Sequence, residues 1–160
     1  MNILQYAMQM ETDGEEFYRD LAANVENTGM RSILTMLADE EAGHYRVLAD
    51  IEQGSAEVPE TDLLNHAKNI FAEMKDTGRT LHLDKAQIDL YAEAQAIEQK
   101  SIDFYTEKAA VVYQDAQKQL LMRLAREEKK HYFLLENIID FVSRPATWLE
   151  NAEFCHLEQY

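Results

Sequence analysis

The stretches LADEEAGHY at residues 37–45 and LAREEKKHY at residues 124–132 decide the fold, because each contains Glu-x-x-His within a helical pattern and they lie 87 residues apart. The same offset aligns Glu11 with Glu98 without a gap. Further matched pairs are Ala7 with Ala94, Tyr18 with Tyr105, Leu34 with Leu121, Leu48 with Leu135 and Ile51 with Ile138. Each copy has room for two helices of about 25 residues, so the sequence predicts two helical hairpins.

The composition favours helix over nearly the whole chain. Gly (5) and Pro (2) are scarce among the 160 residues, whereas residue types that favour helix, such as Ala, Leu, Glu and Gln, are plentiful. The length suits one domain. We therefore predict an all-α, single-domain four-helix bundle. Its predicted parts are hairpin 1 (residues 2–52), a long crossover connector with its own helix (53–86), hairpin 2 (87–141) and a short helical tail (142–160).

Turn and cap signals predict where these helices end. The first hairpin is expected to turn near residues 27–29, and Asp115 is expected to cap the last long helix. Gly78 is expected to end the connector helix, and Asp84 with Gln87 has the pattern of a capping box for the third long helix. The connector helix has one predicted apolar face, which consists of Leu63, Leu64, Ala67, Ile70, Phe71 and Met74.

The charge balance limits the expected partners. Thirty acidic and 15 basic residues give a formal charge of −15, which repels nucleic acid and anionic lipid and attracts metal cations. No stretch approaches the roughly 20 apolar residues of a membrane span, and the N-terminus lacks the pattern of a leader peptide, so we expect a cytoplasmic protein. The single cysteine, Cys155, forms neither an internal disulfide nor a cysteine metal cage. Any bound metal would therefore have oxygen and nitrogen ligands.

Six polar residues interrupt the apolar stripes of the four long predicted helices. They are Glu11, Glu41, His44, Glu98, Glu128 and His131. The first and third helices each contribute one glutamate, and the second and fourth each contribute a Glu-x-x-His motif, whose two side chains project from one face. Glu11 precedes Gly29 by 18 residues and His44 follows it by 15. At 1.5 Å per residue these separations are roughly 27 and 22 Å, so the six side chains are expected at similar depth.

Four buried carboxylates that face one another need positive charge between them, because burial of an unpaired carboxylate costs several kcal/mol. The stripes carry no lysine or arginine at that level. Two divalent ions would cancel four charges, each with one histidine, one terminal glutamate and a share of two bridging glutamates. These ligands favour iron or manganese, while zinc and cobalt remain compatible with them. The sequence therefore predicts two iron ions per chain, with manganese or zinc as possible substitutes. Without metal, we expect the four carboxyl pKa values to rise above the roughly 4.3 of free glutamate.

The remaining histidines have simpler interpretations. Glu153 and His156 share the Glu-x-x-His spacing, but they have no counterpart in the repeat, so we interpret them as surface residues. His66 and His82, in the connector, lack ligand-like spacing and are expected to be exposed. None of these residues is predicted to bind metal.

The sequence also predicts whether the acids and tyrosines beside the six predicted ligands are buried or solvated. Tyr18 and Tyr105 are expected to fill the core, with their hydroxyls bonded to ligand carboxylates because a buried hydroxyl needs a partner. The adjoining acids are interpreted as solvated: Glu15, Glu16, Glu40 and Glu127.

The chain resembles the ferritin-like di-iron domain of rubrerythrins over about residues 1–141. The resemblance rests on four stretches: MQMETDGEEFY (8–18), LADEEAGHY (37–45), AIEQKSIDFY (96–105) and LAREEKKHY (124–132). It implies that Glu11 and Glu98 are terminal or semi-terminal ligands. It also implies that Glu41 and Glu128 bridge the two ions, and that each histidine of the two motifs binds one iron.

Two departures from the family pattern bear on activity. Full-length rubrerythrins resemble this domain followed by a cysteine-ligated rubredoxin module. The present sequence lacks those cysteines, so electrons are expected to come from a separate carrier such as a rubredoxin-like protein. Rubrerythrins also place a further glutamate one turn after the third-helix ligand, where this chain has Ser101. That difference affects the ligand exchange linked to efficient peroxide reduction.

The resemblance implies a redox enzyme that reduces hydrogen peroxide or dioxygen, or a ferroxidase. Two alternatives stay open. The first is an iron-binding or iron-buffering protein without rapid turnover, and the second is a structural helical module whose inward acids pair with a partner chain. A homodimer is expected because the connector and the tail leave apolar faces to cover. Neither nucleic acid nor membrane is an expected partner.

Overall fold

The computed structural model describes residues 2–51, 62–76 and 85–143. Within those ranges the chain forms five α-helices and no strand. They are α1 (Ile3–Asn24), α2 (Thr28–Ile51), α3 (Leu63–Asp76), α4 (Lys85–Val111) and α5 (Asp115–Ser143). Helices α1 and α2 pack together as one hairpin, and α4 and α5 as the other. The predicted all-α, ferritin-like four-helix bundle of two hairpins is confirmed.

Side-chain caps fix the ends of the first hairpin. Asn2 and Gln5 form a capping box at the start of α1, in which Gln5 N donates to Asn2 Oδ1 at 2.8 Å and Asn2 N donates to Gln5 Oε1 at 3.1 Å. At the next helix, Met30 N donates to Asn27 Oδ1 at 3.0 Å, so Asn27 caps α2. The turn between α1 and α2 therefore occupies residues 25–27, beside the position expected from the sequence.

The start of α5 differs from the expected one. Asp115 is the first residue of the helix and not its cap. Lys118 N donates to the carbonyl oxygen of Gln114 at 3.0 Å, so the helical hydrogen bonds begin one residue earlier than predicted. The prediction was wrong because a residue's preference for capping does not fix where a short turn places the first helical bond. Asp115 still lies in the first turn, where its negative charge interacts favourably with the positive end of the helix dipole.

Helix α3 lies between the two hairpins in the chain and packs against α2 and α5. Its predicted apolar face is buried at Leu63, Ala67, Phe71 and Met74. The approach to α2 is close at Gly29, where an added Cβ would lie 3.0 Å from both Ile70 Cγ2 and Met74 Sδ. Glycine at this position therefore allows the two helices to pack against each other. The predicted connector helix is confirmed.

Some predictions fall on residues outside the described ranges. These are the end of the connector helix at Gly78, the capping box at Asp84, the exposure of His82 and most of the predicted tail, from residue 144 onward. The surface assignment of Glu153 and His156 lies there as well. Among the helices that the structure describes, none is long and apolar enough to cross a membrane.

Two apolar clusters fill the bundle, one on each side of a polar layer formed by the six predicted ligands. The larger cluster includes Leu34, Leu37 and Leu135. The smaller cluster includes Leu48 and Leu124. Along each of the four long helices, the predicted ligands lie between residues of the two clusters. Full burial of a leucine side chain contributes about 1.5–3 kcal/mol, so the clusters stabilise the helices on both sides of the polar layer.

Candidate metal centre

The six predicted ligands converge in the polar layer, and all six are buried: Glu11, Glu41, His44, Glu98, Glu128 and His131. Helices α1 and α4 each direct one glutamate inward. Helices α2 and α5 each direct inward a glutamate and the histidine three residues later, because this spacing puts both side chains on one helix face. The structure therefore brings together every residue that the sequence singled out as a ligand.

The oxygen and nitrogen atoms of the polar layer form two overlapping groups. The groups are Glu11, Glu41, His44 and Glu128, and Glu41, Glu98, Glu128 and His131. Within each group, one atom from every residue lies within 4.8 Å of the others. The two groups share Glu41 and Glu128, and the two imidazole rings stack with their centroids 5.5 Å apart. Two ions that share two carboxylates would suit this arrangement, and the ligand roles themselves stay a prediction.

Several buried atoms of the polar layer have no hydrogen-bond partner within the described part of the chain. They are Glu11 Oε2, His44 Nδ1, Glu128 Oε1 and Glu128 Oε2. His44 Nδ1 lies 2.9 Å from Glu128 Oε1 and 3.4 Å from Glu11 Oε2, but neither approach is aligned as a hydrogen bond. Oxygen and nitrogen atoms that face a common centre without hydrogen-bonding to one another are suited to bind a cation. Carboxylates with one imidazole per ion suit iron or manganese, so the residues present fit a pair of such ions.

Burial and mutual repulsion disfavour the ionised form of two glutamates. Burial, followed by the charges of three other glutamates, raises the pKa of Glu41 well above its ordinary value. Burial and the charge of Glu128 raise the pKa of Glu98 to about 8. These two shifts have the direction that the sequence predicted, because an apolar environment and like charges both favour the neutral carboxyl.

Glu128 differs from that expectation, and the two histidines are the reason. Burial raises its pKa, but the positive charge of His44, followed by that of His131, outweighs burial and holds the pKa of Glu128 well below its ordinary value. Burial lowers the pKa of each histidine, but the facing carboxylates reverse that effect and raise both pKa values well above the ordinary one. Without metal, the imidazoles therefore hold protons, and Glu128 is their counter-ion.

Two tyrosines connect the hairpins through glutamates of the opposite hairpin. The Tyr18 hydroxyl on α1 donates to Glu98 on α4, and the Tyr105 hydroxyl on α4 donates to Glu11 on α1. The predicted bonds between these buried hydroxyls and ligand carboxylates are confirmed. Burial, together with the nearby carboxylates, raises the pKa of both tyrosines well above its ordinary value, so they stay protonated donors. The two crossed bonds orient Glu98 and Glu11.

Glu40 and Glu127 were predicted to be solvated, and that prediction was wrong. Glu40 Oε2 lies 2.8 Å from His131 Nε2, while Nδ1 of the same ring lies 2.8 Å from Glu41 Oε1. Glu127 is buried and accepts a hydrogen bond from Lys130 Nζ at 2.9 Å. The periodicity of a single helix does not reveal which positions a neighbouring helix covers. Glu40 therefore orients the His131 ring through a hydrogen bond with Nε2, the ring nitrogen that is directed away from the other carboxylates.

The other surface assignments in the described ranges are confirmed. Glu15 pairs with Arg19 at 2.8 Å on the outer face of α1, where the side chains are 32% and 43% exposed. Glu16 is exposed. His66 is exposed, lies 3.8 Å from Asp62 and belongs to none of the candidate metal-binding groups among the described residues.

Gly14 and Ser101 are equivalent positions of the repeat, each three residues after the one predicted metal ligand of its helix, and both are buried. A Cβ at Gly14 would lie 3.2 Å from Glu41 Oε2 and 3.3 Å from Glu41 Cδ, which is closer than ordinary contact. A side chain at position 14 would therefore require the Glu41 carboxylate to shift by a few tenths of an ångström. Sequence reasoning missed this role. The available signal was a glycine inside a helix, which costs about 1 kcal/mol relative to alanine.

Comparison with known proteins gives a family match. The family model described as Rubrerythrin matches residues 2–139 of the chain, a range that includes all six predicted ligands. Comparisons with curated proteins and with solved structures give no match.

Proposed function

Because the chain belongs to the rubrerythrin family, we propose that it is a di-iron redox enzyme that reduces hydrogen peroxide or dioxygen, or acts as a ferroxidase. The observation that carries this proposal is the buried layer of four glutamates and two histidines from four helices, several of whose atoms lack hydrogen-bond partners in the described chain. A purely structural layer would leave carboxylates buried at a cost of several kcal/mol. A pair of iron ions supplies the missing positive charge.

The six residues have distinct roles in this proposal. Glu11 and Glu98 bind one ion each, Glu41 and Glu128 are shared, and His44 and His131 each complete one position. When bound as ferrous ions, the pair supplies two electrons for the oxidant. The chain orients the ligands through the Tyr18 and Tyr105 hydroxyls and through Glu40, and the apolar clusters on both sides limit the access of water.

A separate protein is proposed to return the electrons. These 160 residues contain a single cysteine, whereas a cysteine-ligated iron centre typically uses four. A rubredoxin-like carrier has the required chemistry. We propose that this electron transfer occurs in the cytoplasm, where thiols stay reduced, because a chain with one cysteine has no internal disulfide bond to maintain.

A homodimer is also proposed. Three large apolar residues are exposed at one end of the bundle, where the first hairpin begins and the α4–α5 turn lies: Tyr6, Val111 and Tyr113. Pairing of two chains would cover them. Sedimentation of the purified protein at several concentrations tests this proposal, and a monomer at every concentration would contradict it.

The enzymatic proposal is tested with protein loaded anaerobically with ferrous iron and mixed with hydrogen peroxide and an excess of a chemical reductant. We expect repeated turnover of peroxide by wild type. Glu128→Ala is expected to lose iron and turnover together, because both groups of ligands contain this residue. Glu93→Ala, which removes an exposed acid from α4, is the matched control and is expected to behave as wild type. Iron-loaded wild type that consumes no peroxide and no dioxygen would contradict the enzymatic proposal.

Iron binding without rapid turnover is the second candidate, and Ser101 favours it. This buried residue occupies the position where the family pattern has a further carboxylate. The same assay separates the two functions, because a buffering protein would oxidise its iron once and then consume no further peroxide despite the reductant. A purely structural module would contain no iron after expression in iron-replete cells.

A further inference from the structure

A groove of about 440 Å³ lies between α4 and α5 on the outer surface of the second hairpin. Its apolar floor consists of Ala109, Ala110, Met122 and Ala125, and we call this feature the α4–α5 groove. The short alanine side chains leave space between the two helices. Met122 is 41% exposed, and its unbranched side chain adapts to apolar ligands of different shapes. The floor therefore offers an accessible apolar surface.

Three cationic side chains, all on α5, also line the groove: Lys118, Arg126 and Lys129. None of the described lining residues is acidic. In the ranges that the structure describes, none of the three cations forms an ion pair. The chain has twice as many acidic as basic residues, so three unpaired cations at one groove create a local positive potential opposite to the net charge of −15.

The positions of the cations suggest how a ligand would lie. Arg126 and Lys129 are three residues apart on α5, so their side chains extend from the same face. Lys118 precedes Arg126 by eight residues, about 12 Å along the helix. We propose that the α4–α5 groove binds an aliphatic carboxylate. The carboxylate lies between Arg126 and Lys129, and the hydrocarbon chain extends over the alanine and methionine floor toward Lys118.

The size and shape of the groove favour a small molecule over a protein. Its volume falls within the roughly 300–1,000 Å³ of small-molecule sites, which combine an apolar lining with a few convergent charged groups. A stable protein interface needs about 800 Å² from each partner, a much larger area than the floor of four small residues offers. A guanidinium beside an ammonium group can also donate charge-assisted hydrogen bonds to both oxygens of a single carboxylate.

The α4–α5 groove is separate from the polar layer. None of the six predicted metal ligands lines it. Ala109 and Ala125 of its floor belong to the smaller apolar cluster together with Tyr105, so side chains of that cluster separate the groove from the metal ligands. Carboxylate binding here does not rest on the proposed redox function and is expected with and without metal.

Calorimetric titration of the full chain with sodium decanoate, in metal-free and iron-loaded form, tests the proposal. We expect saturable binding of one decanoate per chain by both forms. The double variant Arg126→Glu/Lys129→Glu is expected to bind about tenfold more weakly, because it replaces two attractions with repulsions. Ala110→Phe is expected to abolish binding by filling the groove. Decanol, which has the same chain without the charge, is expected to bind more weakly to wild type than decanoate.

Two control variants make the same kinds of change elsewhere on α4. Lys85→Glu reverses a charge at the far end of the helix, and Ala92→Phe adds a phenyl ring to an exposed position; neither residue lines the groove. Both are expected to bind decanoate as wild type does. No binding by wild type, or equal binding by the double variant, would overturn the proposal. The proposal would also be overturned if wild type does not bind decanoate and forms a dimer, while the double variant sediments as a monomer. That result would show that the groove is an interface between chains.

Discussion

Metal-free protein is expected to lose stability as the pH rises from about 5 to about 8. Glu98 contributes to this effect, because its pKa is about 8 in the folded chain and 4.5 ordinarily. A group whose pKa is raised by folding contributes stability that is fully present below the ordinary pKa and is lost as the pH rises through the folded value. Glu41, His44 and His131 also have raised pKa values and act in the same direction. Glu128 has a lowered pKa, so its contribution is lost only in acid below this window.

The size of the effect follows from the shift of Glu98. At 1.36 kcal/mol per pKa unit, the shift from 4.5 to about 8 corresponds to roughly 5 kcal/mol of unfolding free energy in total. Roughly 3 kcal/mol of it is lost between about pH 5 and about pH 8, and the rest is lost outside this window. A chain of this length changes its melting temperature by about 2–4 °C per kcal/mol. We therefore expect metal-free wild type to melt roughly 6–12 °C lower at the higher pH.

Thermal melts of chelator-treated protein, followed by circular dichroism, measure this difference. Glu98→Gln keeps the shape of the side chain and removes its charge, so it should melt higher than wild type at the upper pH and show a smaller pH dependence. Glu93→Gln changes an exposed residue of the same helix and should leave the wild-type dependence unchanged. If metal-free wild type melts at the same temperature at both pH values, the carboxyls of the polar layer are solvated, and the reasoning from their burial is wrong.

Three substitutions near the polar layer have expected results that iron affinity and turnover measure. Gly14→Ala should raise the melting temperature of metal-free protein slightly, because alanine favours helix more than glycine does. The same variant should weaken iron binding about tenfold, because the new methyl group displaces the shared Glu41 carboxylate. The control Gly43→Ala, whose Cβ meets only ordinary contacts, should bind iron as wild type does. Glu40→Ala should weaken binding by about 10–100-fold, with Glu40→Gln intermediate and the surface variant Asp39→Asn unchanged. Ser101→Glu should raise peroxide turnover if the missing carboxylate limits it, and unchanged turnover with both irons bound would show that it does not.

The sequence predicted the features that depend on the position of a residue within its own helix. The repeat and the apolar stripes placed the six polar side chains on inward faces, and these faces meet in the structure. The bonds of Tyr18 and Tyr105 followed from the rule that a buried hydroxyl needs a partner. Both kinds of inference need only the periodicity of a helix and the cost of burying a polar group.

The features that the sequence did not predict depend on contacts between helices. Glu40 was missed because its bond to His131 crosses from α2 to α5. The role of Gly14 was missed because it concerns the space that Glu41 of the neighbouring helix occupies. The lowered pKa of Glu128 depends on the distances to two imidazoles, which the sequence does not provide. Each of these features requires the side chains of two helices at once.

Anaerobic titration with ferrous iron, with the bound metal counted per chain, tests the central claim most directly. Wild type is expected to bind close to two ions, because two groups of four residues share Glu41 and Glu128. His44→Ala is expected to retain close to one ion, and Glu41→Ala to lose both. Wild type that binds no iron, or a His44→Ala variant that still binds two ions with wild-type affinity, would contradict the claim that the polar layer is a di-iron site.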